Sequence, residues 1–143
     1  MADRKASAVW HGDLFEGGGT VTAESSALFT DAGVTWASRT EQPEGRTSPE
    51  ELIAAAHAAC FCMALSNELS SRGNPPETLA VSATCTFVPG QGITKMALDV
   101  VATMAGVGED AFGEGLEAAE QSCPVSGALR GNVAIEVSGR LAG

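Results

Sequence analysis

The sequence predicts a mixed α+β fold with the element order βββ–α–ββ–α–β. Three features predict it: short segments rich in Val, Thr or Trp near the start, one long apolar helix, and a later segment with two-residue alternation. A length of 143 residues with 44% hydrophobic side chains favours a single globular domain, residues 1–143. The net charge of −10 argues against nucleic acid or an anionic membrane as partner.

The N-terminal part is expected to hold three short strands, residues 6–11, 19–24 and 33–39, each bounded by Gly or Asp. The triple glycine 17–19 predicts a hairpin turn rather than a phosphate loop, because no Gly-Lys-Ser/Thr follows it. A polar loop, residues 40–48, leads into the long helix. The first residues contain no apolar signal-peptide core, so we expect a cytoplasmic protein.

The segment 47–66, TSPEELIAAAHAACFCMALS, organises the chain. Ser48 and Glu51 form a Ser-x-x-Glu capping box around a proline at the first helical position. Apart from His57, the central run is apolar or small, so a helix of about 23 residues should be buried nearly all round. That run is shorter than the roughly 20 consecutive apolar residues that cross a bilayer. Gly73 and the prolines after it end the helix.

The C-terminal half predicts four further elements in order: a strand 78–88, a strand 93–104, a helix 109–122 and a strand 132–141. The first two form a hairpin with alternating inward side chains. Phe112, Leu116 and Ala119 make the apolar stripe of the helix, and Cys123 continues it. The segment CPVSGAL that follows is expected to be a short turn.

Four cysteines in a reducing compartment are unlikely structural disulfides, and their number alone does not decide between core thiols, metal ligands and redox groups. Cys60 and Cys123 are expected to face the same interior from two helices, so they could meet as a redox pair if their Cα atoms approach within about 7 Å. Cys62 lies on the other side of its helix from Cys60, and Cys85 lies on the inward face of a strand. Both are expected to be packing residues.

His57 and Cys60, three residues apart, are the only close pair of possible metal ligands, and a Cys–His hydrolase would use the same pair. No close-spaced second pair and no oxyanion-hole motif accompany them, so a hydrogen-bonded core histidine is the simpler interpretation. Arg39 and Arg46 are the nearest cations that could activate a thiol or pair with Glu50.

The segments WHGDL, GGGTVTAES, TSPEELIAAAHAACFCMALS and CPVS together resemble the OsmC/Ohr family of hydroperoxide reductases, and the run with His57 is closer to the osmotically inducible OsmC branch. The resemblance extends over nearly the whole chain. It implies an OsmC-like fold: an intertwined homodimer whose sheets wrap around buried central helices, with active sites at the subunit interface.

The same resemblance implies a cysteine-based peroxidase of the oxidative and osmotic stress responses. It reduces organic hydroperoxides, and hydrogen peroxide less well, without a metal or prosthetic cofactor. Cys60 would be the peroxidatic cysteine, Cys123 the resolving cysteine, and Arg39 and Glu50 the activating pair, with Arg46 as the alternative cation. An external dithiol of the dihydrolipoamide type would recycle the disulfide.

Helix geometry adds a constraint, because Glu50 and Cys60 are ten residues, or about 15 Å, apart along one straight helix. One guanidinium cannot touch both. Either the helix begins after Pro49, or Glu50 serves a site that contains Cys60 of the partner subunit, which the alanines of this helix would permit.

The alternative to an enzyme is a non-catalytic module that binds a small apolar ligand, with thiols that only pack.

Overall fold

The computed structural model describes residues 1–142, which form six strands and four helices. In chain order they are β1 (Ala6–His11), β2 (Gly18–Ala23), β3 (Ala32–Val34), α1 (Trp36–Thr40), α2 (Pro49–Ser71), β4 (Thr78–Val88), β5 (Gly92–Thr103), α3 (Glu109–Ser122), α4 (Pro124–Leu129) and β6 (Ala134–Leu141). This mixture confirms the predicted α+β class. Two compact units divide the chain, Met1–Leu52 and a second that begins at Ile53. The single domain over 1–143 stays a prediction.

The first unit contains an antiparallel sheet in the order β1-β2-β3. Residues 12–17 join β1 to β2, so the prediction that the triple glycine 17–19 forms the turn is wrong for Gly18 and Gly19, which lie in β2. Trp10 lies opposite Gly19 in the register. A glycine is required there, because a Cβ on Gly19 would lie 2.3 Å from the carbonyl oxygen of Val9. All of β1 is exposed, so this sheet leaves apolar side chains uncovered within the chain.

The predicted strand 33–39 is wrong beyond Val34, because the chain turns there into helix α1. Thr35 is the N-cap: its hydroxyl accepts from the Ser38 N–H at 3.0 Å, and the Ser38 hydroxyl accepts from the Thr35 N–H at 2.9 Å. This reciprocal capping box satisfies two backbone donors that a strand would leave to a neighbour. The local Thr-x-x-Ser spacing thus outweighs the β-propensity of Trp36.

The long helix α2 has the predicted extent of 23 residues. The Ser48 hydroxyl accepts from the Glu51 N–H at 3.1 Å, as the capping box requires. The return bond differs from the prediction, because the Glu51 carboxylate accepts from the Thr47 hydroxyl at 2.7 Å instead.

The second unit is built on a sheet in the order β4-β5-β6, with β4 antiparallel and β6 parallel to β5. The predicted alternation is confirmed: every second side chain of β4 from Leu79 to Phe87 is half-buried, and its neighbours are exposed. The core joins α2, β5, α3 and Cys123 through nine buried side chains, which are Phe61, Leu65, Leu69, Leu98, Val100, Ala102, Phe112, Ala119 and Cys123.

Helix α3 has the predicted bounds, and the segment after it is helix α4 rather than a turn. Pro124 occupies the first helical position of α4, where its missing N–H costs nothing and its fixed φ suits a helix. Cys123 both ends α3 and caps α4. The last strand begins at Ala134, two residues after the predicted start.

The expectation that α2 is buried nearly all round is wrong for the single chain. One stripe of the helix is exposed, namely Ala55, Ala56, Ala59 and Met63, and Met63 retains 69% of its accessible surface. Among residues 1–142, α2 is the one helix whose length and composition would suit a membrane span. Core helices of soluble proteins share this length and composition, and Phe61, Leu65 and Leu69 of α2 pack in the core of the second unit.

Candidate active site

The two cysteines expected to form a redox pair lie together in the second unit. Cys60 comes from the middle of α2, and Cys123 from the junction between α3 and α4. The two thiols lie close enough for each to shift the pKa of the other. Cys60 is half-buried, whereas Cys123 is only 1% exposed. Two sulfurs more than sixty residues apart in sequence therefore meet, and the more accessible one is Cys60.

The two thiols have opposite acidities. Burial raises the pKa of the Cys60 thiol, the neighbouring Cys123 raises it further, and the Val125 N–H offsets only part of this. Burial also acts to raise the pKa of Cys123, but hydrogen bonds from the Ser126 N–H, the Ser126 hydroxyl and the Cys60 thiol more than compensate, so the pKa of Cys123 lies below its ordinary value. Within one chain, Cys123 is therefore the better thiolate.

His57 and Ser126 form a buried polar pair beside these thiols. His57 Nε2 and Ser126 Oγ are 2.8 Å apart, and both side chains are 0% exposed. Burial lowers the pKa of His57, and the negative charge of Glu120 only partly opposes this. His57 is thus the hydrogen-bonded core histidine of the simpler interpretation, and its Nε2 faces Ser126 rather than a nucleophilic Cys60.

Sequence reasoning did not select Ser126 as a site residue. The available signal was its position three residues after Cys123, because an N3 side chain reaches back to the N-cap residue when a helix starts there. Interpreting CPVSGAL as a turn concealed that relation.

Arg39 and Glu50, the other two candidate site residues, form an ion pair in the first unit. Arg39 Nη2 and Nε donate to Glu50 Oε1 at 2.7 and 2.9 Å, and Nε also lies 3.1 Å from Oε2. The Glu50 side chain is 8% exposed and that of Arg39 28%. The guanidinium carbon also lies 5.8 Å from the ring centroid of Trp36. Helix α1 thus presents Arg39, and the first turn of α2 holds its fork in place.

A cavity of about 460 Å³ in the first unit includes Arg39 in its wall. Its remaining lining is mainly apolar, comprising Ala8, Trp10, Leu14, Val21, Val34, Thr35, Trp36, Pro49 and Leu52. The arrangement suits a ligand with an apolar body and a polar atom that accepts a hydrogen bond from a guanidinium.

The alternative residues are placed differently. Arg46 is exposed, and its stem packs 3.3 Å from where a Cβ of Gly33 would be. The ion-pair partner of Glu50 is Arg39 and not Arg46.

The Cys62 thiol lies 3.9 Å from the Leu79 carbonyl oxygen, and burial raises its pKa, as for a packing thiol. Cys85 is half-buried in β4 opposite Met96. Within residues 1–142, no group of three or more His, Cys, Asp or Glu is placed to hold a metal ion.

Comparison with known proteins places this geometry in a family. The sequence profile described as OsmC-like protein matches residues 42–138. Peroxiredoxin OsmC of Escherichia coli K12 is 37% identical over 136 residues, which covers 93% of this chain and 94% of that protein.

Solved structures agree in fold. A Legionella pneumophila structure described as an organic hydroperoxide resistance protein OsmC has a TM-score of 0.65 and 25% identity, and the match covers 97% of this chain and 98% of that one. An OsmC-like protein from Mycoplasma pneumoniae has a TM-score of 0.74 and 16% identity, with 99% of each chain covered. The family model and the identity over almost the full length confirm the resemblance: the chain belongs to the OsmC-like protein family.

Proposed function

We propose that this protein reduces organic hydroperoxides to alcohols through Cys60 and Cys123, with Arg39 and Glu50 as the activating pair. Membership in the OsmC-like family, with 37% identity to a protein named Peroxiredoxin OsmC, makes the chain a cysteine-based peroxidase, a peroxide-related redox protein. The organic substrate, the residue roles and the dithiol reductant are the finer proposal. It rests chiefly on one observation, the meeting of two thiols from distant parts of the sequence.

The reaction has three steps. The Cys60 thiolate attacks the terminal oxygen of the hydroperoxide and the O–O bond breaks, which leaves a sulfenic acid on Cys60 and an alkoxide that takes up a proton to become the alcohol. The Cys123 thiolate then attacks that sulfur, forming the disulfide and releasing water once a proton is taken up. An external dithiol finally gives two electrons and two protons to the disulfide through exchange. The lowered pKa of Cys123 suits it to the second step.

The first step needs a cation, because burial raises the pKa of Cys60 and the thiol is a poor nucleophile. Arg39 is suited to the task, since Glu50 fixes the direction of its planar fork. Helix α2 begins at Pro49, so a later helix start does not explain how Glu50 and Cys60 could act together. We therefore assign each site to two copies of the chain: Arg39 and Glu50 from one, Cys60 and Cys123 from the other.

Uncovered apolar surface supports such a homodimer. The stripe of small residues on α2 would let two such helices approach closely, and Val9, Trp10 and Phe15 in the first unit are also exposed. The apolar cavity beside Arg39 would hold the organic part of the substrate, so alkyl or lipid hydroperoxides should react faster than hydrogen peroxide. The reductant would be a dithiol of the dihydrolipoamide type, and the setting the cytoplasm.

The test combines peroxide consumption with disulfide mapping. With cumene hydroperoxide and a dithiol, wild type should turn over, and Cys60→Ser should lose turnover. Cys123→Ser should still consume one equivalent of peroxide but lose turnover. Mass spectrometry of the oxidised wild type should find Cys60 linked to Cys123. Cys62→Ser is the matched control and should keep wild-type rates.

Three outcomes would contradict the proposal. Turnover that survives Cys60→Ser, or a disulfide that links Cys62 or Cys85 instead, would reassign the thiols. A wild type that binds apolar ligands in the cavity without consuming peroxide would indicate the non-catalytic binding module.

A further inference from the structure

A buried histidine that the peroxidase mechanism does not use lies one helical turn before the reactive thiol. His57 and Cys60 are at positions i and i+3 of α2, so they share one face of the helix. His57 is 0% exposed and bonds across to Ser126 of α4 at 2.8 Å. Burying an imidazole costs free energy that hydrogen bonds offset only in part, and a hydrophobic residue at this position would avoid that cost.

The available protons fix the direction of the hydrogen bonds. Ser126 is the third residue after Cys123, the N-cap of α4, and its hydroxyl lowers the pKa of the Cys123 thiol. With the histidine proton on Nε2, the Nε2–H donates to Ser126 Oγ and leaves the single hydroxyl proton of Ser126 free for Cys123. His57 Nδ1 is left as a deprotonated nitrogen, and it has no hydrogen-bond partner within residues 1–142. A buried acceptor without a partner costs less than a buried N–H without one, so this tautomer is the favoured one.

We propose that His57 and Ser126 are positioning residues that make Cys123 the leaving thiolate when a dithiol opens the Cys60–Cys123 disulfide, and thereby direct the dithiol to Cys60. Ser126 acts on the thiol of Cys123 and not on that of Cys60, and the 2.8 Å contact with His57 holds the Ser126 side chain in place. This inference rests on the proposed function, because it concerns the reductive half of that cycle.

The exchange balances without any further reactant. A thiolate of the dithiol attacks Cys60, the S–S bond breaks, and its electron pair goes to Cys123, where the Ser126 hydroxyl stabilises the charge. The second thiolate of the dithiol then displaces Cys60 and closes the external disulfide. Overall, the dithiol is oxidised by two electrons, and both protein sulfurs are reduced. The exposure of the two cysteines also favours attack of the dithiol on Cys60, since Cys60 is half-buried and Cys123 almost fully buried.

The charged groups around the His57–Ser126 pair leave the imidazole neutral. Besides the two thiols, Glu120 of α3 is the charged group that acts on His57, and it is itself bound to Arg130 at 3.0 Å. Because burial outweighs Glu120, the imidazole donates a hydrogen bond rather than carrying a charge. His57 therefore orients Ser126 without exchanging a proton with it.

The first experiment measures the thiolate directly. In a background with Cys60, Cys62 and Cys85 changed to Ser, the ultraviolet absorbance of the Cys123 thiolate is followed against pH. Ser126→Ala and His57→Leu should each move its titration to higher pH, and His57→Gln, which retains an N–H donor at the end of its side chain, should restore part of the change. Leu69→Val, at the far end of the same buried helix face, is the control for a loosened core and should leave the titration in place.

The second experiment measures exchange in the full chain with all four cysteines. The disulfide is formed with diamide, so the measurement does not depend on any reaction with peroxide and stays valid if the proposed function fails. Reduction by dithiothreitol should be roughly tenfold slower in Ser126→Ala and in His57→Leu. A glutathione adduct, trapped during reduction and mapped by mass spectrometry, should lie on Cys60 in wild type and be divided between Cys60 and Cys123 in Ser126→Ala.

Unchanged titration of Cys123 in both variants would overturn the inference, as would an adduct that lies on Cys123 in wild type. A reduction rate that falls equally in Leu69→Val would show that His57 and Ser126 act only as core packing, which also refutes it.

Discussion

The Glu50 carboxylate takes no part in the capping box at the start of α2. It is more buried than Arg39, and it lies in the first turn of α2, where the helix dipole favours a negative charge. Removing one partner of such a pair leaves the other charge without compensation, although Arg39 can still reach water through its exposed quarter. The pair therefore contributes to stability and fixes the direction of the guanidinium at the same time.

Glu50→Gln tests both contributions. The amide retains the size but loses the charge, so we expect the free energy of unfolding to fall by about 1–3 kcal/mol. We expect kcat/KM for an organic hydroperoxide to fall roughly tenfold, because the guanidinium is no longer held in one orientation. Urea unfolding and steady-state kinetics measure the two effects.

The neighbouring carboxylate supplies the control. Glu51→Gln changes an exposed residue whose partner is the Thr47 hydroxyl, so its stability should stay within about 0.5 kcal/mol of wild type. If both variants behave alike, the Arg39–Glu50 pair has no special role.

Residue types and spacing predicted that Cys60 and Cys123 could meet, and they do. They left Arg39 and Arg46 open as the partner of Glu50; the family resemblance favoured Arg39, which forms the ion pair. Residue types and spacing were not sufficient to rank the thiols, because the acidity of Cys123 depends on Ser126, whose position follows from a helix that was expected to be a turn. Hydrogen-bond direction is a property of three-dimensional placement, and the linear pattern does not contain it.

At the scale of single elements, helix α1 is short but carries Arg39 in its last turn. Five residues cannot hold a helix by backbone hydrogen bonds alone. Its stability depends on the capping box, and on the buried Ser38, whose hydroxyl also donates to backbone carbonyls of Thr35 and Thr47. The orientation of Arg39 thus depends on a cap four residues before it.

Thr35→Ala removes the N-cap hydroxyl and should lower the free energy of unfolding by about 1 kcal/mol. Hydrogen exchange of the α1 amides should accelerate, since the Ser38 N–H loses its acceptor. Thr35→Ser keeps the hydroxyl and should restore both values in urea unfolding and exchange measurements. If serine fails to rescue, the loss comes from the threonine methyl group in the cavity wall and not from the cap.

The elements that the sequence predicted well are those with long periodic patterns. Helix α2, β4 and α3 were predicted with their observed bounds, because their capping and alternation extend over many residues. The misassigned elements, α1 and α4, are five and six residues long. In such short helices a single capping side chain or a proline outweighs propensity, and a hydrophobic period has no room to appear.

At the scale of the whole molecule, apolar side chains exposed in each unit favour an interface with a second copy of the chain. The exposed stripe of α2 lies in the part of the chain that belongs to the second unit, and exposed Val9, Trp10 and Phe15 lie in the first. Isolated exposed apolar residues are ordinary on monomers, but several exposed apolar side chains on one helix face, as on α2, are typical of an interface. The proposed homodimer would cover them and would supply each Cys60 with a cation.

Subunit complementation tests this arrangement directly. Arg39→Ala keeps both thiols but lacks the cation, and Cys60→Ser keeps the Arg39–Glu50 pair but lacks the nucleophile, so each variant alone should be inactive. After the two are unfolded together and refolded in equal amounts, half of the dimers should be mixed. Each mixed dimer then has one complete site, so about a quarter of the wild-type rate should return.

The fraction of the wild-type rate that returns distinguishes a site shared between two subunits from a site within one subunit. If Arg39 served Cys60 of its own chain, no mixed dimer would contain a complete site and the rate would stay at the level of the separate variants. The control pairs Cys60→Ser with Cys123→Ser, whose mutated thiols lie in the same proposed half-site, so refolding them together should restore nothing. Dilution of the active mixture should lower the rate when the dimer dissociates, and that loss should follow the dimer fraction measured by analytical ultracentrifugation.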